Sequence, residues 1–314
     1  MRWAVVALSL ALAVQAKAAD YRAPRTASGA PDLQGVWTNL SLTRLERPPE
    51  LKTLIVPDAE AAAVERGVVY KVAHPTDDDV GGHDAEWWDG AALARIDGHA
   101  RTSWIVDPAD GKLPYTADGK AQAAYVRAYV GRYDGADSRN LSERCLLPSW
   151  HAAGPPMLNS PYAANYQFVQ TVDRLAILAE SNSEVRIVRL GGSHAPDAVR
   201  SWMGDSVGHW EGETLVVETT NFRPGESARM SSLFVSTAGK VVERFTRVSA
   251  GEIRYQFSVE DPAIYTQVWK GEMPFLAFKG PMYESACHEG NYSLPGILAG
   301  ARAAESGRAK AAAP

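Results

Sequence analysis

The sequence predicts a mainly-β protein, an antiparallel barrel or strongly curved sheet, with N-terminal loops and a few short helices. Three observations carry this. From residue 142 onward, short β-branched and aromatic runs recur, separated by tight turns. The clearest of them alternates: Val242, Arg244, Thr246 and Val248 oppose Glu243, Phe245 and Arg247, so that strand has two distinct faces. Nowhere does a βαβ rhythm, a Gly-rich dinucleotide loop or a P-loop interrupt the series.

The first segment reads as an address. Met1-Arg2 is basic, residues 3–14 are apolar, and Ala16-Lys17-Ala18 is a small-x-small cleavage site. The run is too short to span a bilayer, so residues 1–18 are expected to be a cleaved secretory signal and the protein periplasmic or secreted. Later apolar segments are broken by charges, so no membrane insertion is expected. The mature chain, 19–314, reads as one barrel-like domain with helical and loop insertions over about 58–160.

Within it, Gly35-Val36-Trp37 opens a first strand, and Pro48-Pro49 marks an extended linker. Asp58 is placed to cap an Ala- and Glu-rich helix over 58–72. Residues 75–97 form a loop region containing His83-Asp84-Ala85-Glu86-Trp87-Trp88-Asp89. A strand over 101–106 meets the turn Asp107-Pro108-Ala109-Asp110-Gly111. A helix over 117–133 has Ala124, Val126, Tyr129 and Val130 as its apolar face. Strands are expected at 166–171, 175–179 and 185–190. The stretch 200–222 starts as a turn-rich segment holding Gly204, Asp205, Ser206 and Gly208. It becomes a hairpin across Glu211-Gly212-Glu213-Thr214 and ends as a strand. A second hairpin pairs 241–248 with 253–259, further strands lie at 265–270 and 275–278, and a helix covers 294–308.

Charge excludes some partners. The chain has 37 acidic residues against 32 basic ones, and two of the latter (Arg2 and Lys17) are in the leader, so nothing attracts nucleic acid or anionic lipid. The two cysteines, Cys145 and Cys287, suit one disulfide in an oxidising compartment, closing a loop of about 140 residues for ~4–5 kcal/mol. The rival is a free Cys287 activated by His288, which strand geometry disfavours because adjacent side chains point apart.

The Gly35-x-Trp37 opening is similar to that of lipocalin-like barrels, where the tryptophan plugs the closed end. More of the chain resembles a large family of secreted bacterial proteins. The residues that carry this are Gly35 to Asn39, Glu143-Arg144-Cys145, Trp202-Met203-Gly204-Asp205-Ser206, Gly208-His209-Trp210-Glu211-Gly212, Glu218-Thr219-Thr220-Asn221-Phe222 and Ala286-Cys287-His288-Glu289-Gly290-Asn291-Tyr292. The resemblance implies homology over nearly the whole mature chain and brings no reaction with it. Two departures stand out: His83-Asp84-Ala85-Glu86-Trp87 replaces a Tyr-Asn-x-Phe-Trp pattern, and Ser183 often replaces a histidine.

The reactive side chains point to acid–base chemistry. There is no His-x-His, no His-Glu-x-x-His and no Gly-x-Ser-x-Gly elbow; a divalent metal site built from distant residues stays open, and no organic cofactor is expected. A histidine, a carboxylate and a tyrosine in an apolar cavity suffice for proton transfer. His83 with Asp84 and Glu86, His209 with Asp205, and His288 with Glu289 are the catalytic candidates. Arg101 and Tyr166 are candidates for holding an oxyanion, with Asn165 beside them; Trp87, Trp202 and Trp210 are candidates for stacking on a ring. The expected function is an exported lyase or isomerase acting on a small aromatic or apolar compound. The alternatives are a lipocalin-like carrier or sensor and a hydrolase of carbohydrate or ester.

Overall fold

Alternation of inward apolar and outward polar residues builds a closed barrel in the computed structural model of the chain, which describes residues 21–73, 92–130, 132–147, 154–159, 163–224, 233–285, 290 and 292–311. The expected leader lies outside them. In chain order come β1 (Gly35–Thr38), β2 (Ile55–Val56), α1 (Asp58–Ala73), β3 (Arg95–Ile96), β4 (His99–Arg101), β5 (Ile105–Asp107) and α2 (Ala117–Val130). The barrel proper continues with β6 (Asn165–Gln170), β7 (Arg174–Ala179), β8 (Val185–Leu190), β9 (Asp205–Glu211), β10 (Thr214–Thr220), β11 (Lys240–Ser249), β12 (Glu252–Glu260) and β13 (Trp269–Ala277); α3 (Ser293–Ala311) follows.

The ring runs β1-β6-β7-β8-β9-β10-β11-β12-β13 and closes because β1 pairs with β13 as well as β6. The mainly-β barrel is therefore as expected, with one difference in direction. β8 and β9 are parallel, with Val188 opposite Ser206. A tight turn cannot join parallel strands, so residues 191–204 cross over outside the wall. β2, β4 and β3 form a separate small sheet on the insertion.

Several expected elements shift. The strand over 101–106 divides into β4 and β5, because the intervening backbone bonds elsewhere: Thr102 N–H donates to Leu54 O and Trp104 N–H to Arg44 O. The two strands expected across 265–278 merge into β13. Gly271 permits this, since a Cβ there would stand 2.2 Å from Phe257 Cζ. Asp205, Ser206 and Gly208, expected in a turn, form the start of β9. On α2 the buried residue is Ala123 and not Ala124, with Val126 packed beside the core, so the apolar face is rotated by about one residue.

The barrel is filled. Inward residues Tyr166, Phe168, Phe245, Tyr255 and Phe275 form one cluster with ring centroids 4.9–5.9 Å apart. Edge-on and tilted contacts of this kind add to the ~1.5–3 kcal/mol each buried ring contributes by leaving water. Trp37 is buried beneath the Arg247 guanidinium, 5.3 Å from its centroid, and Arg247 also donates to Asp32 O. This latch lies by the β11–β12 turn, at the end opposite the starts of β8 and β9. Among the described residues no helix is long and apolar enough to cross a membrane.

Candidate active site

Where β8 and β9 begin, the wall opens into a cleft of about 260 Å³. Leu146, Leu147, Val185, Ile187, Trp202 and Met203 give it apolar sides, and Arg186 and Ser206 give it a polar floor. The Arg223 guanidinium lies 4.8 Å from the Trp202 ring centroid and holds that wall. Gly204, at φ 68°, lets the chain turn tightly into β9; a Cβ there would stand 2.4 Å from Thr220 O.

Behind the floor stands a polar network inside the barrel. Alternation on β8 through β12 points Arg186, Ser206, Thr219, Glu243 and Tyr255 inward. Arg186 is 3 % exposed and Glu243 0 %. Arg186 donates two hydrogen bonds to Glu243, the one from Nη1 at 3.0 Å, and further bonds to Ser206 Oγ (3.1 Å) and Thr219 Oγ1 (2.9 Å). The Tyr255 hydroxyl donates to Glu243 Oε1 at 2.6 Å and accepts from Met157 N–H at 2.9 Å. Burial, and then the Glu243 charge, push the Tyr255 phenol well above its usual pKa, so it stays protonated as a donor.

On the outer wall, one residue from Ser206, Asp205 organises a second group. Arg189 binds it with two nitrogens, at 2.7 and 3.0 Å, and Ala195 N–H donates to Oδ2 at 2.9 Å. His194 Nδ1 lies 2.9 Å from the same Oδ2, and its Nε2 lies 3.3 Å from Glu218 Oε1. Burial alone would raise the Asp205 carboxyl; Arg189, the Ala195 amide and His194 outweigh it and hold the pKa at about 2. Asn221, at φ 58°, donates through Nδ2 to Ala195 O at 2.9 Å and so ties the crossover to the end of β10. The arrangement is an aspartate that fixes one face of an imidazole and leaves the other toward a second carboxylate.

The structure thus gives Asp205 a histidine, but it is His194 and not His209. Four residues along an extended strand is about 13 Å, too far for contact. His209 is 63 % exposed and meets Glu211 instead, at 3.2 Å. Glu211 also receives Arg244 at 2.8 Å, and Arg244 first, then His209, lower its pKa.

Arg101 and Tyr166 do not converge. Arg101 binds Glu272 (3.3 Å) on the outer side of β13, whereas Tyr166 is fully buried in the lumen against Phe275. Burial raises the Tyr166 phenol. Asn165 donates to Glu180 Oε2 at 2.6 Å, and Glu180 Oε1 accepts from Tyr283 N–H, a tether for the C-terminal segment. Of the stacking candidates, Trp202 lines the cleft and Trp210 packs against the core. His83, Asp84, Glu86, Trp87, Cys287 and His288 lie outside the described residues. Cys145 is disulfide-bonded and no free cysteine occurs among the described residues; its pairing with Cys287 stays an expectation. Among the described residues no group of three His, Cys, Asp or Glu is placed to hold a metal ion.

Sequence reasoning missed His194, which stands in an irregular loop with no periodic signal. It also missed Arg186, Glu243 and Tyr255, although Glu243 and Phe245 share one face of an alternating strand, which marks an inward carboxylate. Comparison with protein-family models, with characterised proteins and with solved structures gives no match to this chain.

Proposed function

We propose that the protein is an exported acid–base enzyme, a lyase or isomerase working without an organic cofactor on a small aromatic or apolar compound. The observation that carries this reading is the Asp205–His194 pair on the outer wall, in which the aspartate holds the imidazole; a cleft of mixed polarity opens at the start of the same strand, where Ser206, on the opposite face, lines it. In this reading His194 moves the proton, Asp205 positions it, and Trp202 packs against the substrate. The Arg186 guanidinium, its charge paired with Glu243, and the Glu184 carboxylate are the charged groups that line the cleft. A carrier would need open space, and the lumen is packed with rings, which favours the enzyme reading over a lipocalin-like store.

The test is a thermal-shift screen of the mature protein against phenolics, steroids and sugars, with product analysis on each hit. The expected result is a stabilising aromatic that is also consumed. His194→Ala then lowers turnover by about 10²-fold or more while binding persists, and His209→Ala leaves it unchanged. A compound that stabilises the protein through Trp202 and is recovered unchanged would overturn the enzyme in favour of a carrier.

A further inference from the structure

A second cleft, of about 430 Å³, opens beside α2 and shares no lining residue with the first. Its frame is rigid. Thr266 N–H donates to Pro114 O, Thr116 N–H to Ile264 O, and Tyr115 packs on Tyr265 at 5.1 Å. Thr116 Oγ1 accepts from Gly119 N–H at 2.8 Å and starts the helix. Lys120, Ala123 and Arg127 follow at spacings of three and four, so they share one helix face, and the small Ala123 leaves room between the two cations. Leu113 and Pro114 make an apolar side.

The charges are uneven. Lys120 and Arg127 line the cleft, and Arg127 hydrogen-bonds the Tyr115 side chain. Glu46 is the one carboxylate in the lining, and its Oε1 is taken by Leu113 N–H at 2.8 Å. Two cations against one anion leave a single positive charge to match. Burial raises the Tyr115 phenol despite the pull of Arg127, so the hydroxyl keeps its proton at neutral pH.

We infer that this second cleft binds a small organic monoanion, a carboxylate on an apolar or ring-shaped body. Lys120 and Arg127 are its charge partners, and Leu113 and Pro114 the surface for its apolar part. Glu46 selects against doubly charged anions. The site is independent of the acid–base reading: it stands or falls on the α2 side chains alone.

Isothermal titration of the mature protein with benzoate, benzamide and inorganic phosphate tests it. Benzoate is expected to bind, less tightly as salt rises, and benzamide and phosphate to bind at least about tenfold more weakly. The double variant Lys120→Ala/Arg127→Ala weakens benzoate by about tenfold or more. Both side chains are exposed, so an unchanged melting temperature will show that the variant is folded. Glu46→Gln narrows the gap between phosphate and benzoate. Equal binding of benzoate and benzamide overturns the site, as does an unaltered double variant. Loss of benzoate binding in Trp202→Ala with retention in the double variant also overturns it, by moving the ligand to the first cleft.

Discussion

Arg186 and Arg189 stand three residues apart on β8, and each grips a carboxylate with two nitrogens. The first pair faces the lumen and is almost wholly removed from water; the second faces out, with the Asp205 side chain 15 % exposed and that of Arg189 37 %. A strand's two-residue period places neighbours of like chemistry in unlike surroundings. Inside, the pair relies on protein partners: Ser206 and Thr219 accept from Arg186, and Tyr255 donates to Glu243 while accepting from Met157 N–H. Outside, water covers what the protein leaves, and the aspartate is free to organise a loop and a histidine.

The largest break in this contrast comes from Glu243→Ala, which leaves Arg186 charged and unpaired. It should cost ~3–5 kcal/mol in denaturant unfolding. Replacing both residues with methionine should recover most of that loss. If Glu243→Ala alone costs no more than an outer-wall change, the lumen pair is better hydrated than its burial says.

Acid sharpens the outer pair. The folded pKa of Asp205, about 2, is below its ordinary 3.8. Its contribution is therefore complete above the unfolded value and is lost as pH falls from about 4 through 2. That is ~2 kcal/mol, which Asp205→Asn should remove from the pH–stability curve. An equally steep acid limb in Asp205→Asn would assign the loss to other carboxylates.

Tyr255→Phe removes a hydroxyl that both donates to Glu243 and accepts from Met157. An expected loss of ~1–2 kcal/mol, read by the unfolding midpoint, falls at or below that of the outer pair. At the far end of the scale, Glu211→Gln breaks the exposed contacts to Arg244 and His209 and should leave the midpoint where it is.

Much of the barrel was legible in the residues because alternation and turn chemistry are local. The hairpins across 211–214 and 249–252 stand where their sequence places them. The helices at 58–73 and 117–130 do as well. What was not legible depends on direction and distance. The parallel joining of β8 to β9 leaves no mark in the sequence, since residues 191–204 have ordinary loop composition. That joining is what carries His194 to Asp205. His209 drew notice because it shares a short motif with Asp205, but nearness along a strand is separation in space. Arg186 hid because Val185, Ile187 and Val188 make both faces of its strand apolar.

The seam of the ring sets the order of events when the chain folds. Trp37 pairs with Ala277, and Thr38 with Leu276, so closure joins the first barrel strand to the last one in chain order. The rest of that β13 edge is covered by β5, through Lys270 with Asp107 and Gly271 with Ile105. Until residue 277 is available, a growing chain has no closed ring and its first strand waits without one of its two partners. Contacts between such remote segments are slow to form, because a long loop must close before anything rewards it. The exposed strand edges that persist meanwhile invite pairing between copies, so refolding yield should fall as protein concentration rises.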